Sequence, residues 1–120
     1  MKTMDSAFAR EFATRWIDAW NAHDLDRVLA HYTDDFVMSS PVIVQIVGEP
    51  SGTLHGKAQV GAYWKKALTI IPDVHFELID VLAGIDSIVI YFKGARGRIA
   101  AEVFEFDSTG KVHRSFANYA

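Results

Sequence analysis

Cysteine is absent from the 120-residue chain, which removes disulfides, thiol nucleophiles and cysteine-based metal sites together. Charge of one sign is also lacking. Twelve Lys and Arg stand against 15 Asp and Glu, for a net charge of -3, and no basic run or patch offers itself to a nucleic acid. No apolar stretch reaches membrane-spanning length, and Met1-Lys2-Thr3 leads straight into an amphipathic pattern rather than an apolar leader. The expectation is a cytoplasmic protein with neither nucleic acid nor membrane as partner. His23, His31, His55, His75 and His113 share no element at ligand spacing, so no metal site is expected. Among them His31, next to Tyr32, has the best claim to a role. Phosphate-cradling glycine loops and the glycine-flanked serine of hydrolases are missing too, and no cofactor is expected.

What remains is strongly apolar: 50% of the residues are hydrophobic and 12% aromatic. At this length that composition suits one domain, residues 1–120, with a large core or an apolar cavity. The chemistry centres on Arg98–Asp107, RIAAEVFEFD. Read as a strand, it places Ala100, Glu102, Phe104 and Phe106 on one face, and Ile99, Ala101, Val103 and Glu105 on the other. A carboxylate among aromatic neighbours is costly to ionise, so Glu102 is protonated, paired, or placed there for use. A water-facing Glu102 is the alternative, and Arg98 has the strand parity to pair with it.

Periodicity orders the rest of the chain. Phe8, Phe12, Trp16, Ile17 and Trp20 form a helical stripe within residues 5–22, capped by Asp5 or Ser6. Asp24 caps a second helix, Leu25–Tyr32. Thr33-Asp34-Asp35 reads as a turn, Phe36–Ser40 as a short strand ended by Pro41, and Val42–Val47 as another strand. Val60, Tyr63, Trp64, Ala67, Leu68 and Ile71 mark a third helix closed by Pro72. From Val74 the period becomes that of strands: Val74–Ala83, Ser87–Lys93, Arg98–Asp107 and Lys111–Tyr119, joined by hairpin turns. Helices followed by an antiparallel meander predict an α+β fold with the helices packed on one sheet face.

WIDAWNAHDLDRVLAHYTDDFVMSSP, the Gly56–Leu68 helix and EVFEFDSTGKVHRSFANY together resemble the SnoaL-like and ketosteroid isomerase-like branch of the nuclear transport factor 2-like superfamily. The resemblance covers roughly Phe8 to Tyr119. It implies a cone-shaped fold, with the N-terminal helices packed into a strongly curved antiparallel sheet. It also implies roles for particular residues. The oxyanion-hole tyrosine of the steroid isomerases falls on Trp16, their general-base aspartate on Ser40, and their protonated aspartate on Glu102. Only Glu102 keeps a carboxyl group. Trp16 can donate but not transfer a proton, and Ser40 is no base unless activated. Glu102 and Ser40 are therefore the candidate catalytic residues, without support for the steroid-isomerase mechanism itself.

In that register Ser115, Ala117 and Tyr119 face a cup beside Phe104 and Glu102. Trp16, Trp20, Phe36, Met38, Tyr63 and Trp64 complete its wall. The cup suits a small, flat, hydrophobic molecule bearing a carbonyl or hydroxyl group; the alternative is that these aromatics simply fill the core. The segment after Pro41, VIVQIVGEPSGTL, is a flap or, preferably, an additional hairpin. Ile99, Ala101, Val103, Val112 and Phe116 are expected on the opposite face, where no helix remains to cover them, which implies a two-fold homodimer. Three functions follow: acid/base chemistry of the isomerase, dehydratase or cyclase kind through Glu102, small-molecule binding without turnover, or a dimeric interaction domain.

Overall fold

The computed structural model describes residues 4–120. Helix α1 (Ser6–Asn21) begins where Asp5 accepts a hydrogen bond from the Phe8 amide at 2.7 Å. Helix α2 (Leu25–Leu29) begins in the same way, with Asp24 accepting from the Arg27 amide. Strand β1 (Tyr32–Ser39), helix α3 (Pro41–Val47), strand β2 (Thr53–His55) and helix α4 (Gly56–Ile70) follow. A meander completes the chain: β3 (Glu77–Ala83), β4 (Ser87–Lys93), β5 (Ile99–Phe106) and β6 (Val112–Tyr119). The six strands form one sheet in the order β2-β1-β6-β5-β4-β3, antiparallel except where β1 runs parallel to β6. The fold is α+β, with the helices on the concave side. Among the described residues no helix is long and apolar enough to cross a membrane.

Burial along β5 alternates without a break: Ala100, Glu102, Phe104 and Phe106 are buried, and the residues between them are half-buried. Against this face lies the α1 stripe. The Phe12 ring meets Phe104 and Phe106 edge-on, both at 5.0 Å between centroids. Trp16 packs on Phe104 at 5.2 Å and Phe92 at 5.4 Å. Burying an aromatic of this size stabilises the fold by roughly 2–3 kcal/mol, so this seam dominates the core.

Four expectations are corrected. Val42–Val47 is helical, not a strand. The β-branched run favours extended backbone, but the punctuation around it wins. The Ser40 hydroxyl accepts from the Val42 amide at 3.1 Å, Pro41 occupies the first turn, and Gly48 closes the helix at φ 78°. The Pro41–Leu54 segment is accordingly a helix and a short strand rather than a hairpin. Tyr32 and Thr33-Asp34-Asp35 belong to β1, not to a helix and a turn; between Tyr32↔Val112 and Val37↔Arg114 the pairing is irregular and the acids bulge into solvent. Val74–Phe76 lies outside β3. Finally, Val112 is fully buried rather than on the outer face. Glu105 pairs with Arg114 and Phe106 with Val112, so His113 is an extra residue that reverses the facing of β6 at that point.

Candidate functional site

Between the concave face of the sheet and helices α1, α3 and α4 lies a cavity of about 520 Å³. Trp16 and Trp20 from α1, Tyr63 and Trp64 from α4, Met38 from β1 and Tyr119 from β6 line it, with Glu102 projecting from β5. Phe36, Phe104, Ser115 and Ala117 do not line it; they are buried as core. Phe104 is closed off by the edges of Phe12 and Trp16, and Phe36 lies against Tyr32 at 4.3 Å. Other lining residues carried no sequence signal as cavity residues. Val42, Gln45 and Ile46 face the cavity only because α3 is a helix, while Phe76 enters from the segment before β3 and Phe92 from β4.

Glu102 is 5% exposed, and its Oε2 has no hydrogen-bond partner. Arg98, the alternative partner that strand parity allows, is exposed and lies elsewhere, with its guanidinium 4.7 Å from the Tyr119 ring centroid and 3.5 Å from the Ala120 carbonyl oxygen. Desolvation therefore acts on the carboxyl unopposed and pushes its pKa up to about 8, so the acid is mostly neutral at pH 7. Burial also raises the Tyr32 phenol, with the Glu102 charge adding to it, and Tyr119 in the same way. Tyr63 is raised chiefly by burial. At neutral pH the titratable oxygens of the interior are thus mostly protonated.

Hydrogen bonding decides which of these groups is available to a guest. Trp16 Nε1 donates to the Tyr32 hydroxyl at 3.0 Å, so the residue aligned with the oxyanion-hole tyrosine offers a ring face and no free donor. Trp20 Nε1, by contrast, is buried without a partner. An unpaired N–H and an unpaired carboxyl oxygen, both on cavity-lining residues, are the unmet polar groups of an otherwise apolar chamber. Ser40 is buried and committed to capping α3, and its hydroxyl also opposes the burial-driven rise of Tyr63 and Tyr119. His31 packs edge-on against Phe12 at 5.2 Å, and burial lowers its pKa. Among the described residues no group of three His, Asp or Glu could hold a metal ion.

The cavity wall just before β3 is fastened to the end of α1. Asn21 receives the Phe76 amide at 2.7 Å and donates to the Phe76 carbonyl at 3.0 Å. His23 Nε2 lies 2.7 Å from the Val74 carbonyl oxygen. Both Val74 and Phe76 line the cavity. At the mouth, the Ala95–Gly97 turn carries Arg96 in the left-handed region at φ 59°.

A curved, open sheet that holds an apolar chamber beneath its helices defines the cone-shaped, nuclear transport factor 2-like class. Within it, the SnoaL-like domain family matches residues 13–115, and the chain belongs to that family. A SnoaL-like protein from Burkholderia thailandensis is 59% identical over 99% of both chains, with a TM-score of 0.96. More distant structures share the fold alone. A nuclear transport factor 2-like protein from Cytophaga hutchinsonii is 13% identical, with 100% of this chain and 95% of that one covered and a TM-score of 0.70. A ketosteroid isomerase-like protein from Catenulispora acidiphila, in complex with trimethylamine, is 15% identical over 92% and 85% of the two chains, with a TM-score of 0.73. No curated protein matches the chain in sequence.

Proposed function

We propose that the cavity takes a small, flat, mostly hydrophobic molecule with a carbonyl or hydroxyl group, and that Glu102 is its proton donor. One observation carries this reading: a buried carboxyl, paired with no cation and with its Oε2 lacking a hydrogen-bond partner, on the wall of an aromatic chamber. A neutral carboxyl there donates to a carbonyl oxygen, as a protonated acid does in an oxyanion hole. Proton transfer from Glu102 to that oxygen, with the carboxylate then taking a proton back, is chemistry of the isomerase, dehydratase or cyclase kind. The steroid-isomerase route is disfavoured because Ser40, at the position of its base, caps a helix. Turnover of a 3-oxo-Δ5-steroid is expected at background. The second reading, binding without turnover, is favoured by the single carboxyl in the cavity, since one group must serve as both acid and base.

The test uses 2-acetonaphthone and its hydrocarbon shape-match 2-ethylnaphthalene, titrated against tryptophan fluorescence. At pH 6 the ketone should bind tighter by about fivefold, the value of one neutral hydrogen bond. The preference should vanish at pH 9.5, where Glu102 is ionised, and at every pH in Glu102→Leu. A preference indifferent to both pH and Glu102 would overturn the assignment. Deuterium exchange into the acetyl methyl group in D2O separates turnover from binding alone.

Assembly is the second part of the proposal. On the outer face Leu82, Val89, Val103 and Phe116 fall side by side across β3 to β6, with Tyr91 and Ala101 paired in the adjoining row. Leu82 is 56% and Tyr91 39% exposed. A belt of this kind suits a second copy of the chain related by a two-fold axis.

A further inference from the structure

The charges around the cavity differ in sign from those of the chain. The chain carries a net charge of -3, yet the ionisable side chains lining the cavity, apart from its tyrosines, are Lys66, Arg96, Arg98 and Glu102. Glu102 lies within, largely neutral at pH 7, while the three cations are exposed at the mouth. Among the described residues the ion pairs are Glu11 with Arg15 and Asp34 with Lys57, so none of the three mouth cations is paired with an Asp or Glu side chain, although Arg98 donates to an Ala120 oxygen at 3.5 Å. Arg98 rests on the Tyr119 ring, and Arg96 holds its place through a left-handed backbone in a tight turn. Arg96 also lines an adjoining hollow with Asp73, Glu77 and Lys93, and Lys66 lines another with Glu49, so both stand between the cavity and acid-bearing surface.

The spacing of these groups is fixed by the sheet. The backbone is extended from Arg98 into β5, so Arg98 and Glu102 are roughly 13 Å apart along the strand. Tyr119 bridges the gap, paired opposite Ala100. From the inside outward a guest meets a neutral carboxyl donor, aromatic walls, and then the exposed cations Lys66, Arg96 and Arg98. We propose that the natural ligand is an elongated amphipathic acid, with its carbonyl or hydroxyl group at Glu102 and an anionic carboxylate at the Lys66, Arg96 and Arg98 rim. This rests on the reading of Glu102 given above and adds the chemical class of the far end. Guanidinium groups suit the task because their planar fork meets a carboxylate with two parallel hydrogen bonds.

The probe is 4′-acetylbiphenyl-4-carboxylate, compared with its neutral carboxamide and with biphenyl-4-carboxylate, which lacks the acetyl group. The acid should bind about tenfold tighter than the amide at low salt, as expected of a charge-assisted contact. That margin should shrink in 0.5 M sodium chloride and in Arg98→Gln or Lys66→Gln, while amide affinity stays constant. Arg10→Gln, which removes the same charge from the exposed side of α1, should leave it intact. Equal binding of acid and amide overturns the cationic rim and leaves Glu102 untouched. An acid preference that survives loss of the acetyl group with undiminished affinity supports the rim and counts against Glu102. If none of the three compounds binds, the elongated-acid inference is overturned, and the acetonaphthone experiment decides separately on Glu102.

Discussion

The two faces of β5 set the same eight residues different tasks. On the concave side Ala100, Glu102, Phe104 and Phe106 are sealed beneath α1, and the acid among them is stripped of water. On the convex side Ile99, Ala101, Val103 and Glu105 are half-buried, and among the described residues no helix covers them. One carboxyl is therefore available as a neutral donor, while the other, three residues on, keeps access to solvent. Alternation by two lets one strand wall a cavity on one side and present an apolar outer face on the other without either constraining the other.

Three experiments would break or sharpen that contrast. The largest effect is expected from Phe104→Ala, which opens a void where Phe12 and Trp16 meet and should cost about 4 kcal/mol in urea unfolding. Val103→Ala, its neighbour on the outer face, should cost about 1 kcal/mol. Equal losses would mean that the outer face is as tightly packed as the inner.

Next comes the pH dependence of Glu102→Gln. Desolvation raises the native carboxyl to about 8, above its unfolded value near 4.5, so the native state holds a proton that the unfolded state releases. Wild-type stability should fall as pH climbs through this window and level off above it, by roughly 3 kcal/mol between pH 5 and pH 8. Glu102→Gln should remove that slope, and Glu105→Gln should not. A slope that persists in Glu102→Gln would place the responsible group elsewhere.

The smallest effect on the fold itself is expected on the outer face. Val103→Glu and Phe116→Glu should move intrinsic stability by only about 1 kcal/mol. Sedimentation should show a dimer of the wild type at micromolar concentration and a monomer of either variant. A wild type that sediments as a monomer would remove the second copy from the account.

The sequence disclosed most where a single period ran undisturbed. The α1 stripe and the β5 alternation were legible because packing there follows 3.6 and 2.0 residues without interruption, and Glu102 emerged as the polar exception within one of them. Its isolation from Arg98 was not legible, because strand parity fixes a face and not the direction of a long, flexible side chain. Val42–Val47 misled because its β-branched residues speak for a strand, whereas the outcome was decided by a cap and a proline at one end and a left-handed glycine at the other. The burial of Val112 depended on one inserted residue, His113, which no periodicity announces. The cavity mouth was hidden for a different reason: Lys66, Arg96 and Arg98 come from α4 and the β4–β5 turn, and only the folded chain brings them to one rim.

The paired hydrogen bonds between Asn21 and Phe76 have a consequence for how the chamber keeps its shape. A side-chain carboxamide presents the same acceptor and donor as a peptide group, so Asn21 stands in for the neighbouring strand that the chain lacks just before β3. A helix terminus thereby acts as a borrowed sheet edge. The width of the aromatic chamber is set by where α1 stops, and the aromatic stripe and the wall it faces are registered to each other by one amide.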